Sequence, residues 1–295
     1  MSAPRHTTAP ETDIPEDFDL GRAAAVLTEA AAKAGATIMA HYAGPAEVEL
    51  KDDASPVTKA DRDSEAIILK ALARLAPDIP VVSEETAADR TAALGPRFFL
   101  VDPLDGTKEF IKKRTDFTVN VALIEEGHPR FGLVYAPARA LLAVTTADGV
   151  AIEAELPPDP GGADLAALAQ RRLHARSAGE AGLTALVSLS HLDPETEKFL
   201  EGFDIAERCS AGSSIKFLEV ARGKADVYPR FGPTMEWDTA AGHAVLEAAG
   251  GHVVDAQGAR LRYGKTADGL RNASFVAWGR TPGPVASQRA EKKSG

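Results

Sequence analysis

Between Pro80 and Glu153 five apolar, β-rich runs follow one another: PVVSEE, RFFLVD, FTVNVALIEEG, PRFGLVYAP and LLAVTTADGVAIE. Gly, Pro or Asp-Gly turns divide them, and connections so short join strands into antiparallel meanders. No feature of the chain limits its fold more. Before this stretch the pattern is helical. Leu20, Ala24, Leu27, Ala31, Ala34 and Ile38 recur at helical spacing from Asp19 to about Tyr42, stopped by Gly44-Pro45. A second helix is predicted from Ala60 to Leu75, after the polar loop KDDASPVT. After the stretch comes the Pro/Gly-rich break LPPDPGGADLAAL, where a boundary falls near Pro157 to Gly162. Strands TALVSLS, ADVY, HVVD and SFVAW then alternate with helices near 193–202, 214–222 and 238–249, an α/β layer pattern. The expected organisation is therefore a tail at 1–17, an α+β domain at 18–157, an α/β domain at 158–280 and a second tail at 281–295. Both tails read as disordered.

Two of the strands end in acid. RFFLVD runs on as VDPLDGT, so a run apolar enough for burial closes on Asp102 and Asp105, and VVSEE closes on Glu84 and Glu85. Unpartnered buried carboxylates cost several kcal/mol or more. Pro103 and Gly106 shape a turn that aims both aspartates at one point, where a hard cation such as Mg²⁺ would be held by carboxylates, waters and phosphate oxygens. The plainer alternative is a turn whose aspartates cap backbone N–H groups, beside a solvated Glu84-Glu85 loop. An EF-hand is excluded, because its third and fifth positions would be Leu104 and Gly106. The DxDxT spacing of aspartyl-phosphate enzymes is not met either.

Three further stretches keep two readings open. Thr58 and Asp61 have the spacing of a capping box, and Asp61 also stands where it would hold a metal or a water. Asp238 opens an Ala-rich helix, either as its cap or as a carboxylate completing a dinuclear site across a cleft. Gly212-Ser213-Ser214 opens a helix with Lys216 in its first turn, either a serine cap or an anion site. Cys209 reads as a packed thiol, His243 as structural, and Trp237 as packing or lining the cleft.

With a net charge of −10, the chain has no basic surface of the kind a nucleic-acid polymer needs. A single cysteine excludes an intrachain disulfide and fits a reducing cytoplasm. No transmembrane span is expected; peripheral attachment to the inner membrane face and a homodimer stay open.

VVSEE, VDPLDGTKEFI and WDTAAGHAV resemble the three signatures of the inositol monophosphatase superfamily, Mg²⁺-dependent, lithium-sensitive phosphomonoesterases of layered αβαβα fold. With SPVTKAD, FTVNVALIEEG and GSSIKFLEVARGKADVYPRFGP they resemble the CysQ-type 3'(2'),5'-bisphosphate nucleotidases within it, over about Leu20 to Trp278. The resemblance implies two or three Mg²⁺ ions held by Glu84, Asp102, Asp105, Asp238 and the carbonyl of Leu104. It gives Asp61 and Thr107 the task of readying the attacking water, sets Glu85 behind the ligands, and lets Gly106 and Thr107 offer N–H groups to the phosphate. Ser188, His191, Gly212, Lys216 and Arg230 would contact the 5'-phosphate and adenosine, with Leu189 standing where the nucleotidases usually carry an arginine. The expected reaction is hydrolysis of adenosine 3',5'-bisphosphate to AMP in sulfate assimilation. The alternatives are an inositol or broad sugar phosphatase and a metal-dependent nucleotide-binding regulator without turnover.

Overall fold

A computed structural model describes residues 18–45, 47–51, 56–89, 94–179, 181–188 and 193–280. The two tails expected at 1–17 and 281–295 lie outside the described residues. The chain opens with helix α1 (Leu20–Ala43), whose first turn is capped by Asp19 accepting from Arg22 N–H at 2.9 Å. A small antiparallel pair, β1 (Val48–Leu50) and β2 (Pro56–Thr58), leads into α2 (Lys59–Leu75). The Thr58 and Asp61 box expected at its start is present.

Then comes the sheet that the apolar runs predict. β3 (Val81–Ser83) pairs in parallel with β4 (Arg97–Asp105), and after the short helix α3 (Thr107–Ile111) an antiparallel meander follows. It comprises β5 (Thr118–Glu125), β6 (His128–Ala136), β7 (Leu141–Thr145), β8 (Ala151–Glu155) and β9 (Gln170–Arg172), giving seven strands in sequence order. The last strand lies past the Pro157–Gly162 break.

A second sheet has the order β11-β10-β12-β14-β13, built from β10 (Leu183–Ser188), β11 (Ile205–Ala211), β12 (Val227–Arg230), β13 (His252–Asp255) and β14 (Phe275–Trp278). Its helices are α4 (Pro194–Leu200), α5 (Ile215–Ala221) and α6 (Glu236–Ala248).

Side-chain alternation assigns the layers. Phe99, Val101, Val121 and Leu133 pack with Ala24, Leu27 and Ala31 of α1 and with Ile68 and Leu72 of α2. Their neighbours Phe98, Leu100, Ala122 and Val134 point the other way, into a core shared with Phe217 and Leu218 of α5, Ala241 and Val245 of α6, and Tyr228 and Phe275 of the second sheet. Val187, Val227 and Trp278 on that sheet's far face meet Leu200 of α4. The order is thus αβαβα. Both faces of the large sheet are covered, which is why its strands read as unbroken apolar runs. Helix α6 lies close enough that a Cβ at Gly132 of β6 would stand 2.3 Å from the Ala241 carbonyl oxygen. Trp237 and His243 are buried in this middle layer, and no helix among the described residues is long and apolar enough to cross a membrane.

Candidate active site

The acidic end of the site is made where β4 leaves its partner. Asp102 faces Asn120 and Asp105 faces Thr118, so Pro103 and Leu104 together oppose one residue of β5. Proline has no N–H for the ladder to lose. Gly106 then takes φ +93°, and a Cβ there would lie 2.8 Å from the Asp116 carbonyl oxygen. Only glycine fits both the dihedral and the space. Helix α3 starts at once, bringing Thr107 over the turn.

Thr107 Oγ1 lies 3.1 Å from Asp61 Oδ1 and 3.2 Å from the Leu104 carbonyl. Asp61 Oδ2 accepts from Thr58 N–H at 2.8 Å and from Thr58 Oγ1 at 2.6 Å. One aspartate therefore serves as a cap and as the partner of Thr107. Burial raises its pKa, with the hydrogen bonds from Thr58 and Thr107 opposing. Ser64 Oγ donates to the Pro103 carbonyl at 2.9 Å and ties α2 to the same turn.

Four carboxylates gather around this point. Asp102 is buried, with Oδ1 accepting from Leu104 N–H at 3.0 Å. Burial first, and then the like charges of Glu84, Asp105 and Asp238, push it well above the usual carboxylate range. Asp238, in the first turn of α6, is raised by burial and then by Asp105 and Glu84, while its Oδ2 accepts from Met235 N–H at 2.8 Å. Burial also raises Glu84, against the pull of Lys51, whose Nζ lies 2.7 Å from Glu84 Oε1 and 2.7 Å from Glu85 Oε1. Asp105 Oδ2 accepts from Ser214 N–H at 2.8 Å and from Ser213 Oγ at 2.5 Å.

This donor set fits a hard divalent cation: it is oxygen only, and its mutual repulsion is of the kind a cation relieves. As the side chains stand, no group of three or more among the described residues is arranged to hold an ion. Lys51 engages Glu84 and the two serines engage Asp105 instead.

The cleft also takes residues from α5 and the second sheet. A cavity of about 620 Å³ is lined by Glu84, Asp105, Gly106, Thr107 and Asp238 together with Ser188, Gly212, Lys216 and Arg230. Nine of the residues singled out from the sequence thus share one cleft. Asp61, Asp102 and Leu104 stand behind its wall, and His191 and Leu189 lie outside the described residues. Lys216 is buried, with Nζ donating to the Ser213 carbonyl at 2.7 Å and to the Ala211 carbonyl at 3.3 Å. Burial lowers its pKa to about 8, with Asp105 opposing. The Gly212 N–H donates to Asp116 Oδ2 at 2.9 Å.

A family model for the inositol monophosphatases matches residues 19–289. The chain belongs to the inositol monophosphatase family. It is accordingly an enzyme of a phosphatase family that works with a divalent metal, generally Mg²⁺. Among members of the inositol monophosphatase family, the 3'(2'),5'-bisphosphate nucleotidase CysQ of Salmonella typhimurium is 44% identical over 240 residues, 80% of this chain and 92% of that protein. The protein of the same name from Escherichia coli K12 is 43% identical over the same shares. The crystal structure of CysQ from Bacteroides thetaiotaomicron aligns with a TM-score of 0.72 and 37% identity, covering 90% of this chain and 99% of that one. The αβαβα layering is the family's fold.

Sequence reasoning singled out neither Lys51 nor Asn120 in this site, nor Asp116, which holds the Gly212 loop beside it. Asn120 Nδ2 donates to Ser214 Oγ at 3.0 Å across 94 residues of chain, a separation that leaves no local pattern to read.

Proposed function

We propose that the protein is a Mg²⁺-dependent phosphomonoesterase that hydrolyses adenosine 3',5'-bisphosphate to AMP and phosphate, and so removes a by-product of sulfate assimilation in the cytoplasm. The observation that carries this reading is a single cleft whose lining combines carboxylates fit for metal with the basic groups Lys216 and Arg230. A substrate with two phosphates has a use for both. The names borne by relatives at 44% identity over 80% of the chain support the same choice.

Glu84, Asp102, Asp105, Asp238 and the Leu104 carbonyl would hold two or three Mg²⁺ ions. When bound, such ions lower the pKa of water and neutralise charge on the phosphate and on the departing oxygen. The remaining work falls to the chain. Thr107 Oγ has one proton, and donating it to Asp61 turns the oxygen's lone pairs outward to accept from a water in the cleft. Asp61 is held in place by Thr58 at two points, so the pair orients the water and gives its proton somewhere to go. The Gly106 turn presents the N–H groups of Gly106 and Thr107 at the start of α3 to the phosphate. Ser188, His191, Lys216 and Arg230 receive the 5'-phosphate and adenosine.

Phosphate release from adenosine 3',5'-bisphosphate, measured beside inositol 1-phosphate with and without Mg²⁺, tests this. The expected result is Mg²⁺-dependent turnover strongly favouring the nucleotide. Equal or greater activity on inositol 1-phosphate would point instead to a broader sugar phosphatase.

A further inference from the structure

Asp116 has no part in the chemistry just described, yet it touches both halves of the cleft. It precedes β5 and is 8% exposed. Its Oδ2 accepts from the Gly212 N–H at 2.9 Å, and its Oδ1 is paired with Arg139 Nη2 from the turn after β6. The fit around it is close. A Cβ at Gly212 would stand 2.8 Å from Asp116 Cβ, and one at Gly106 would stand 2.8 Å from the Asp116 carbonyl oxygen. The side chain therefore grips the loop that leads into α5, while the backbone backs the turn at Gly106.

Resting on the nucleotide reading above, we propose that Asp116 is a positioning residue: oriented by Arg139, it fixes the 211–216 loop against the Gly106 turn and so sets where Lys216 meets the substrate's second phosphate. Three facts make the side chain suited to that task. It engages the Gly212 N–H inside the protein, so the loop is held before any ligand arrives. Its acceptor is a carboxylate, and charge-assisted bonds are about twice as strong as neutral ones. Its partner Arg139 cannot titrate away in the working range. Lys216 in turn donates to the carbonyls of Ala211 and Ser213, the residues on either side of Gly212, so a shift of the loop moves the lysine with it.

The test compares Asp116→Ala with wild type on two substrates, adenosine 3',5'-bisphosphate and adenosine 3'-monophosphate, which lacks the second phosphate. The expected result is a KM about ten-fold higher for the bisphosphate, with kcat within about two-fold and the monophosphate KM unmoved. Equal KM changes on the two substrates, or none, overturn the proposal. Amide hydrogen exchange over 211–218 is read on the same proteins and needs no substrate, so it separates this inference from the nucleotide assignment. Exchange at least about ten-fold faster in the variant supports the positioning role, and unchanged exchange overturns it. Should Asp116→Ala not fold, Arg139→Gln, at a half-exposed position, is put through the same exchange measurement: faster exchange supports the role and unchanged exchange overturns it.

Discussion

Thr107 and Asp61 come from different helices, 46 residues apart in sequence, and their side-chain oxygens Oγ1 and Oδ1 lie 3.1 Å from each other. The contact is made at the first residue of α3 and the first turn of α2, both docked on the bulge that follows Asp102.

Replacing Thr107 with valine removes the hydroxyl and keeps the shape. Loss of a group that handles a proton typically costs about 10²–10⁴-fold in rate. The expected outcome is a kcat lower by about 10²-fold or more, a KM for nucleotide within about three-fold of wild type, and a melting temperature only a few degrees lower, because buried Asp61 loses one donor. A kcat within about three-fold of wild type would remove Thr107 from the mechanism.

Lys51 occupies the acidic end as a resident cation, its ammonium bonded to Glu84 and Glu85. A metal ion drawn to Glu84 competes with it for the same carboxylate. Lys51→Met should therefore tighten Mg²⁺ binding by about ten-fold, read by titration calorimetry on metal-free protein. Weaker binding in the variant would make the lysine a helper of the metal. Li⁺ at tens of millimolar is expected to inhibit turnover, as the family resemblance implies.

Lys216 gives the site a pH limit. Burial lowers its pKa to about 8, below the usual 10.5, so its charge is present at pH 7 and fades as pH rises through 8. The KM for adenosine 3',5'-bisphosphate should climb above pH 8 while that for adenosine 3'-monophosphate stays flat. The fold feels the opposite sign: the unfolded chain binds more protons between pH 8 and 10.5, so this one group adds stability as pH rises there. Parallel KM profiles for the two substrates would rule out Lys216 as the cause.

Glu247 predicts a stability effect far from the cleft. Burial alone would raise its pKa, yet the close contact with His243 and the hydrogen bonds from Arg260 hold it down at about 2. His243 is itself pushed below 6.5 by burial, so at neutral pH the charge on Arg260 does most of this. A depressed carboxylate stabilises above its unfolded pKa of about 4.5 and loses that contribution as pH falls towards 2. Glu247→Gln should be less stable than wild type at pH 7 by about 1–2 kcal/mol in urea unfolding, with the gap shrinking between about pH 4.5 and 3. A gap constant with pH would contradict it.

The large sheet was legible because its strands from β3 to β8 are mostly apolar and are divided by turn residues. RFFLVD shows no alternation, and Phe98 and Phe99 turn out to serve opposite cores. The acids at the ends of β3 and β4 were legible for the opposite reason, as groups the preceding pattern could not bury alone. Partners fixed by tertiary approach left no trace. Ser213 meets Asp105 across 108 residues, and Gly212 meets Asp116 across 96. Nor could the stretch from Gly212 to Lys216, open to two readings in the sequence, show that Asp105 and Asp116 accept from its backbone N–H groups. Strand β9, three exposed polar residues, carried no hydrophobic signal at all.

Helix α6 lies between the two sheets, with Gly132 letting its backbone approach β6 and Asp238 projecting from its first turn into the cleft. Such a helix has no slack on either side. The spacing between the carboxylates and Lys216 is set by the loop that bonds Asp105 through Ser213 and Ser214 and carries the lysine two residues on, so the cleft behaves as a gauge. It would grade ligands by how far apart they carry their two charges.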